Sequence, residues 1–345
     1  MINFLPQKSG MLLTDRLLRK YFTGTDIAEG YLIICSNSTC FTDARYFYQA
    51  KDKLAKVGVG AKLYSGLSDI KEFLKSNGIK KFYLDYDTTT LTDFERYRQL
   101  KVKLLNGKEF IIKKRAIKEG FELENVKKAC EIIQRAFYNT LEYVKVGITE
   151  LQLKNVIENE MLKLGAEGPA FDTIVAFGAN GAVPHHETGD TPLTDNTAIL
   201  IDTGCKVNGY CSDLTRTVFF GEPSEKFIRC YDAVLNANLI ALENIKVGDK
   251  TCVADAYARD YLKSQNLAEY FTHSLGHGVG LEIHEFPTLS PRTSDTLTEN
   301  MAFTVEPGVY IDGELGIRIE DTVVIKGGKA VRLYDDDKKL IKIKK

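Results

Sequence analysis

The sequence has almost no net charge, with 46 Lys and Arg residues against 47 Asp and Glu residues in 345 positions. Without an excess of one sign, it lacks the strong field that draws proteins to nucleic acid or to an anionic membrane surface. It also lacks any apolar run close to the roughly 18 residues that a membrane span needs. We therefore expect no nucleic-acid partner, no membrane partner, and a small, roughly neutral substrate.

Paired cysteines are missing as well. The seven cysteines are scattered, with no CxxC pair and no regular spacing, and are therefore expected to be reduced core residues. The first residues, Met1–Gln7, show neither a basic region nor a long apolar stretch of the kind found in secretory signals. These absences predict a cytoplasmic protein.

The length and the 44% of hydrophobic residues fit two domains. Strand-like and helix-like segments alternate in the first third, which indicates an α/β domain. The strand-like segments are Gly30–Cys35, Ser38–Thr42 and Lys80–Leu84, and the helix-like segments are Ser68–Ser76 and Leu91–Leu100. The charged stretch Lys113–Glu124 suits a domain boundary, so we predict domains at residues 1–120 and 121–345.

The second domain contains a weak internal repeat of two helices followed by two strand-like segments. The predicted helices are Leu123–Val144, a helix opened by Thr149 with Gln152 placed for a capping box, Phe227–Ile245 and Cys252–Ser264. The predicted strands are Phe171–Ala176, Thr197–Asp202, Thr272–Ser274 and Met301–Val305. A duplicated unit would place helices outside a curved sheet, although two unrelated helical hairpins would give the same pattern.

All five histidines, at positions 185, 186, 273, 277 and 284, lie within a hundred residues of one another. Acidic residues between and after them follow apolar runs, beginning with Asp202 after Ala198–Ile201. A buried carboxylate is costly unless a cation or hydrogen-bond donors receive it. For Asp202 alone, a strand-end carboxylate bonded to backbone amides is an alternative.

Asp213 strengthens the metal hypothesis, because a turn at Asn208-Gly209 would bring it beside Asp202, where two like charges need a proton or a cation between them. Glu306 also ends an apolar strand, whereas Glu320 shares a strand face with Arg318 and in isolation could form a surface ion pair.

His277 lies in a glycine-rich segment, which on its own is a weak signal. Two Asp, two Glu and one His form a ligand set suited to Mn²⁺, Co²⁺, Fe²⁺ or Zn²⁺. A structural zinc site would more usually show paired thiolates. A metal pair held by bridging carboxylates can activate water for attack on a carbonyl.

Four segments in this order, IDTGCKVNGYCSDLTRTVF, HSLGHGVGLEIHEFPTLSP, FTVEPGVYI and GIRIED, resemble the pita-bread metallopeptidases, in the branch of aminopeptidase P and prolidase. CFTDARYFYQA and AIKEGFELENVKKACEIIQRAF extend the resemblance over most of the chain. The resemblance implies an N-terminal creatinase-like α/β domain. It also implies a pita-bread catalytic domain with a curved antiparallel sheet, outer helices and a pseudo-twofold repeat. Methionine aminopeptidases share the catalytic fold but usually lack such an N-terminal domain.

The resemblance implies a site for two divalent metal ions, most simply Mn²⁺, with Co²⁺, Zn²⁺ or Fe²⁺ as alternatives. The implied ligands are Asp202, Asp213, His277, Glu306 and Glu320, with Asp213 and Glu320 bridging the metals. Glu306 would also shuttle a proton, His185 and His284 would bind substrate, and Arg318 would orient Glu320 or a substrate group. His186 is expected to be only a neighbour of the substrate-binding His185. His273 is expected to support its loop rather than to contact substrate.

The implied activity is hydrolysis of the bond before proline in small peptides with proline at the second position. Some prolidases carry an arginine where this sequence has Thr288, although Arg292 lies nearby, so we expect a Xaa-Pro aminopeptidase with a Xaa-Pro dipeptidase as the alternative. Phe286 and Tyr310 are candidates for the proline pocket, but both also suit an ordinary core.

Two alternative functions do not involve metal-dependent peptide hydrolysis. One is that of a catalytically silent, partner-binding relative, and the other is that of a metal-independent, creatinase-like hydrolase. The intact ligand set argues against both. The resemblance further implies a homodimer.

Overall fold

A computed structural model describes residues 5–344, so part of the N-terminal segment used above for the location lies outside the described residues. The chain divides into two compact units, one ending at Lys114 and the other beginning at Arg115. The domain limits at residue 120 stay a prediction.

The first unit is built on one six-stranded sheet with the order β4-β3-β2-β1-β5-β6. Its strands are β1 (Ser9–Leu13), β2 (Tyr31–Ile34), β3 (Thr39–Thr42), β4 (Gly60–Leu63), β5 (Lys81–Leu84) and β6 (Lys103–Asn106). The helices up to the end of this region are α1 (Arg16–Thr23), α2 (Ala44–Lys56), α3 (Leu67–Ser76), α4 (Leu91–Arg98) and α5 (Lys108–Ala116). All five elements predicted here are present, with ends that differ by two residues or fewer.

Buried clusters cover both faces of this sheet. Strand β1 contributes to both clusters, because its successive side chains point to opposite sides. Met11 and Leu13 belong to one buried cluster, and Leu12 between them belongs to the other. β1 was not predicted, because its apolar run is too short to distinguish a strand from a helix.

The second unit has four long helices and two main sheets. The helices are α6 (Gly120–Leu141), α7 (Glu150–Lys163), α8 (Glu225–Asn244) and α9 (Thr251–Ser264). The order β19-β11-β8-β7 defines the first sheet, with β7 (Ile174–Phe177), β8 (Thr197–Thr203), β11 (Leu214–Phe220) and β19 (Lys342–Ile343). The order β13-β12-β14-β17-β18 defines the second, with β12 (Gly276–Gly278), β13 (Glu285–Leu289), β14 (Ala302–Val305), β17 (Asp321–Lys326) and β18 (Lys329–Arg332). The second unit also contains two short antiparallel strand pairs. These are β9 (Lys206–Val207) with β10 (Tyr210–Cys211), and β15 (Gly308–Ile311) with β16 (Leu315–Arg318).

The predicted repeat is visible in the element order, since each helix pair, α6–α7 and α8–α9, is followed by strands of one main sheet. The capping box is also present: Thr149 accepts from the Gln152 amide, and Gln152 accepts from the Thr149 amide. The predicted α/β fold class is confirmed.

The strand predicted at Thr272–Ser274 is wrong, because the structure places β12 four residues later, at Gly276–Gly278. A Cβ atom at Gly276 would overlap the carbonyl oxygen of Thr304, and one at Gly278 would overlap that of Phe286. Glycine has low strand propensity, but only glycine fits where neighbouring backbones approach this closely.

Large buried side chains of the second main sheet pack against small residues on α8 and α9. Phe303, Val305 and Ile325 join Ala241 and Ala258 in one core cluster, which holds the strands carrying several candidate site residues in place. Among residues 5–344, no helix is both long and apolar enough to cross a membrane.

Candidate metal centre

Asp202 and Asp213 are brought together by the antiparallel pairing of β8 and β11. Asp202 lies on β8 opposite Thr215 of β11, and Asp213 immediately precedes β11. Between them the chain makes the short β9–β10 hairpin with Asn208 and Gly209 at its turn, both with positive φ. The Gly-containing turn predicted from the sequence therefore reverses the chain as expected.

The other three predicted ligands come from the second half of the unit. His277 is on β12, Glu306 directly follows β14, and Glu320 lies between β16 and β17. Pairing of β12 with β14, and of β14 with β17, sets these three segments side by side.

The predicted ligands converge. Ligand atoms of Asp213, His277 and Glu320 all lie within 4.8 Å of one another. The His277 Nε2 atom is 3.6 Å from Asp213 Oδ2 and 3.3 Å from Glu306 Oε1. Asp202 is close enough to raise the pKa values of Asp213 and Glu320 by charge repulsion.

Burial and mutual repulsion make this carboxylate cluster unfavourable in its ionised form. Burial, and then the charges of neighbouring carboxylates, raise the pKa values of Asp213 and Glu320 well above their usual range. Burial also raises the pKa of Glu306. Burial lowers the pKa of His277, which favours the neutral imidazole that binds metals.

The residues present fit a pair of divalent cations. The Asp202 Oδ1 atom is buried and has no hydrogen-bond partner among the described residues, so it is a free ligand atom beside the cluster. Four carboxylates and one imidazole are a suitable donor set for divalent first-row metals. Cations at this position would relieve the repulsion, as the sequence analysis anticipated.

Arg318 connects two of these candidate ligands through hydrogen bonds. Its guanidinium donates to Asp202 Oδ2 at 2.5 Å, to Thr215 Oγ1 at 3.0 Å and to the Tyr310 hydroxyl at 2.7 Å. Thr215 in turn donates to Glu320 Oε2 at 2.6 Å. The side chain thus fixes Asp202 directly and Glu320 through Thr215.

The remaining histidines fall into two groups. His185 and His284 are exposed, and the His284 ring lies against His277 with centroids 4.4 Å apart. Burial, followed by the charges of His277 and His185, lowers the pKa of His284, which places both exposed rings near the cluster. In contrast, His186 bonds Glu150, and His273 bonds the Tyr310 hydroxyl and the Ser274 carbonyl.

Three further residues were candidates for substrate recognition from the sequence. Thr288 lies opposite His277 across β12 and β13 and is exposed. Tyr310 is buried, with its hydroxyl between Arg318 and His273, and Phe286 packs against the core cluster of the unit.

Glu150 and Thr215 were not predicted as site residues from the sequence. An acid in the first turn of a helix is already explained by the helix dipole, and a threonine in a strand by strand propensity. Neither residue therefore stood out.

Two family profiles match this chain. The profile described as Metallopeptidase family M24 matches residues 124–327, and that of the Creatinase/Prolidase N-terminal domain matches residues 7–117. This chain belongs to metallopeptidase family M24. As an M24 protein it is a hydrolase that acts on peptide bonds, of the Xaa-Pro peptidase group, in a family whose members use a dinuclear divalent metal site.

Similar M24 proteins carry two different activity names. The Xaa-Pro dipeptidase of Pyrococcus furiosus is 36% identical over 93% of this chain and 92% of its own. The X-Pro aminopeptidase of Thermotoga maritima has a TM-score of 0.88 and 34% identity, covering 97% of both chains. The Xaa-Pro dipeptidase of Bacillus anthracis has a TM-score of 0.92 and 35% identity, covering 97% of this chain and 95% of its own. The family is therefore clear, while the substrate length is not distinguished by these relatives.

Proposed function

We propose that this M24 protein is a Xaa-Pro aminopeptidase, which removes the first residue from peptides with proline at the second position. The convergence of Asp213, His277 and Glu320 within 4.8 Å supports metal-dependent hydrolysis. The neutral, exposed Thr288 opposite His277 supports a preference for peptides longer than a dipeptide.

The five side chains Asp202, Asp213, His277, Glu306 and Glu320 would hold two divalent metal ions, with Mn²⁺ as the first candidate. When bound, such a pair would lower the pKa of water and polarise the scissile carbonyl. The role of each ligand is part of the proposal.

Glu306 is proposed to carry the proton from the attacking water to the leaving nitrogen of proline. Thr304 donates to Glu306 Oε1 at 3.0 Å, which holds the carboxylate in one orientation. Burial raises the pKa of Glu306 in the metal-free protein, whereas contact with a metal ion would keep this carboxylate ionised and ready to accept the proton.

His185 and His284 are proposed to hold the substrate. Both imidazoles are exposed beside the buried cluster, where they can donate hydrogen bonds to the carbonyl oxygen as it gains negative charge. Proline lacks a backbone N–H, so recognition at its own position must come from shape and from the neighbouring carbonyls.

A Xaa-Pro dipeptidase is the second candidate, because relatives of that name are equally similar. A dipeptidase must recognise a free carboxylate next to proline, for which a cation is the natural partner. Thr288 does not supply one.

The deciding experiment compares a Xaa-Pro dipeptide, a Xaa-Pro-Yaa tripeptide and a Xaa-Ala-Yaa control, using chelator-treated protein supplied with Mn²⁺ or Co²⁺. We expect metal-dependent cleavage with the highest kcat/KM for the Xaa-Pro-Yaa peptide. A preference for the dipeptide would establish the dipeptidase instead. Equal cleavage of the alanine peptide would contradict proline specificity.

We further propose a cytoplasmic homodimer. All seven cysteines are free thiols, as expected in a reducing compartment, and the dimer follows from the family resemblance. Light scattering on the purified protein tests the dimer, and fractionation of the source cells tests the location.

A further inference from the structure

Glu150 is a fully buried carboxylate outside the candidate metal centre. It is the first residue of α7, and its side chain has no exposed surface. A buried carboxylate without a metal ion needs donors for both oxygens.

Four donors meet Glu150, and all come from one stretch of chain, residues 177–189. Oε1 accepts from the Phe177 amide at 2.8 Å and from the Asn180 side-chain amide at 2.8 Å. Oε2 lies 2.9 Å from His186 Nε2 and accepts from the Gly189 amide at 3.2 Å. Because an ionised carboxylate can only accept, His186 must carry its proton on Nε2.

These contacts hold the stretch at both ends and next to its functional residue. Phe177 ends β7, Gly189 lies where the chain returns to α7, and the Gly189 carbonyl accepts from the Leu151 amide at 2.8 Å. His186 is the neighbour of His185, whose exposed imidazole is the proposed substrate contact. The Glu150 side chain therefore anchors the segment 177–189, which contains His185.

We propose that Glu150 is a positioning residue for catalysis, which acts through His186 and residues 177–189 to aim His185 at the substrate carbonyl. This inference rests on the proposed function, because it takes His185 as the substrate contact. A displacement of about 1 Å in such a group can lower catalysis by roughly 100-fold without disturbing the fold.

The test uses Glu150→Gln, which keeps the shape but presents an NH₂ group to two of the four donors. Asn180→Ala is a milder second variant that removes one donor and leaves the carboxylate in place. Glu158→Ala on the same helix, whose side chain is only partly buried, is the matched control. Each change is made in the wild-type and in the His185→Ala background.

Two measurements are made on the full-length protein. Hydrogen exchange of the metal-free protein should increase within residues 177–189 for Glu150→Gln and less for Asn180→Ala, and not for Glu158→Ala. With Mn²⁺, kcat for a Xaa-Pro-Yaa peptide should fall about 10- to 100-fold for Glu150→Gln at unchanged Mn²⁺ affinity. The same substitution should lower kcat by less than about twofold in the His185→Ala background, because its effect passes through that side chain.

Two results would overturn the positioning role. One is that Glu150→Gln lowers kcat by the same factor in the His185→Ala background as in the wild-type background. The other is that hydrogen exchange of Glu150→Gln within residues 177–189 equals that of the wild type. If the wild-type protein cleaves no Xaa-Pro peptide, the proposed function fails, and the exchange measurement then decides alone whether Glu150 anchors the segment.

Discussion

The guanidinium of Arg318 donates from Nη2 to Asp202 Oδ2 at 2.5 Å, while the second oxygen of the same carboxylate, Oδ1, has no hydrogen-bond partner among the described residues. One oxygen of Asp202 is thus fixed by the protein, and the other is available for the proposed cation. In the proposed site, this arrangement would orient Asp202 before metal binds, which would reduce the ordering cost of binding.

Arg318→Lys tests this orientation. Lysine keeps the charge, but its three N–H donors lie on one nitrogen, whereas Arg318 reaches Thr215, Tyr310 and Asp202 with three different nitrogens. We expect a folded protein whose Mn²⁺ affinity or kcat/KM falls about 10- to 100-fold, measured by titration calorimetry and peptide hydrolysis. Arg229→Lys, in an exposed ion pair with Glu225, is the matched control and should change neither quantity. Wild-type values for Arg318→Lys would contradict the role of the guanidinium.

Asp213→Asn should separate activity from stability. The substitution removes a proposed bridging charge, so turnover should be lost. It also removes one of several repelling carboxylates, so the chelated variant should have a higher melting temperature than the chelated wild type. Calorimetry in excess chelator measures the second effect. Near-normal turnover would count heavily against the site as proposed, and a lower melting temperature would contradict the electrostatic reasoning.

The stability of the chelated protein should depend on pH through the same carboxylates. Asp213 and Glu320 have pKa values raised by burial and mutual repulsion, so above the unfolded-state pKa of about 4 the folded chain binds more protons than the unfolded chain. Their contribution to the free energy of unfolding therefore falls as pH rises toward the folded-state pKa. The melting-temperature advantage of chelated Asp213→Asn over chelated wild type should grow from about pH 5 to about pH 8.

Metal should reverse this trend, because Mn²⁺ binds the deprotonated ligands. The increase in melting temperature on adding Mn²⁺ to the wild type should be larger at about pH 8 than at about pH 5. An increment independent of pH would show that the ligands are already ionised in the metal-free protein.

Thr288→Arg tests the choice between peptide lengths. An arginine opposite His277 would place a cation where the carboxylate of a Xaa-Pro dipeptide must lie. The ratio of kcat/KM for dipeptide over tripeptide should rise about tenfold or more, in line with one charge-assisted hydrogen bond. Thr194→Arg, at another exposed position, serves as the control. An unchanged ratio would mean that Thr288 does not face the carboxyl side of the substrate.

The candidate ligands could be recognised from the sequence through their combination and the family resemblance, since His277 and Glu320 taken alone gave weak signals. Asp202 and Glu306 follow apolar runs in the sequence, where a carboxylate needs an unusual partner, and His277 lies among glycines that leave room beside it. The helices were equally accessible, since α6 to α9 have long amphipathic patterns and Thr149 with Gln152 marks one helix start.

Other features depended on contacts between distant residues. The strand at Gly276–Gly278 exists because its glycines allow close approach to Thr304 and Phe286, which local propensity cannot show. Likewise, Glu150 resembles any acid in a first helical turn along the sequence, and only the fold brings its four donors from residues 177–189 around it.

The sequence by itself determined the chemical types at the site, the helix pairs and the family, because these depend on residue identity and short-range periodicity. Only the tertiary structure decided which side chains form hydrogen bonds with one another and which charged side chains repel one another. Those relationships arise from strand register and burial, which depend on atoms that are close in space and far apart along the chain.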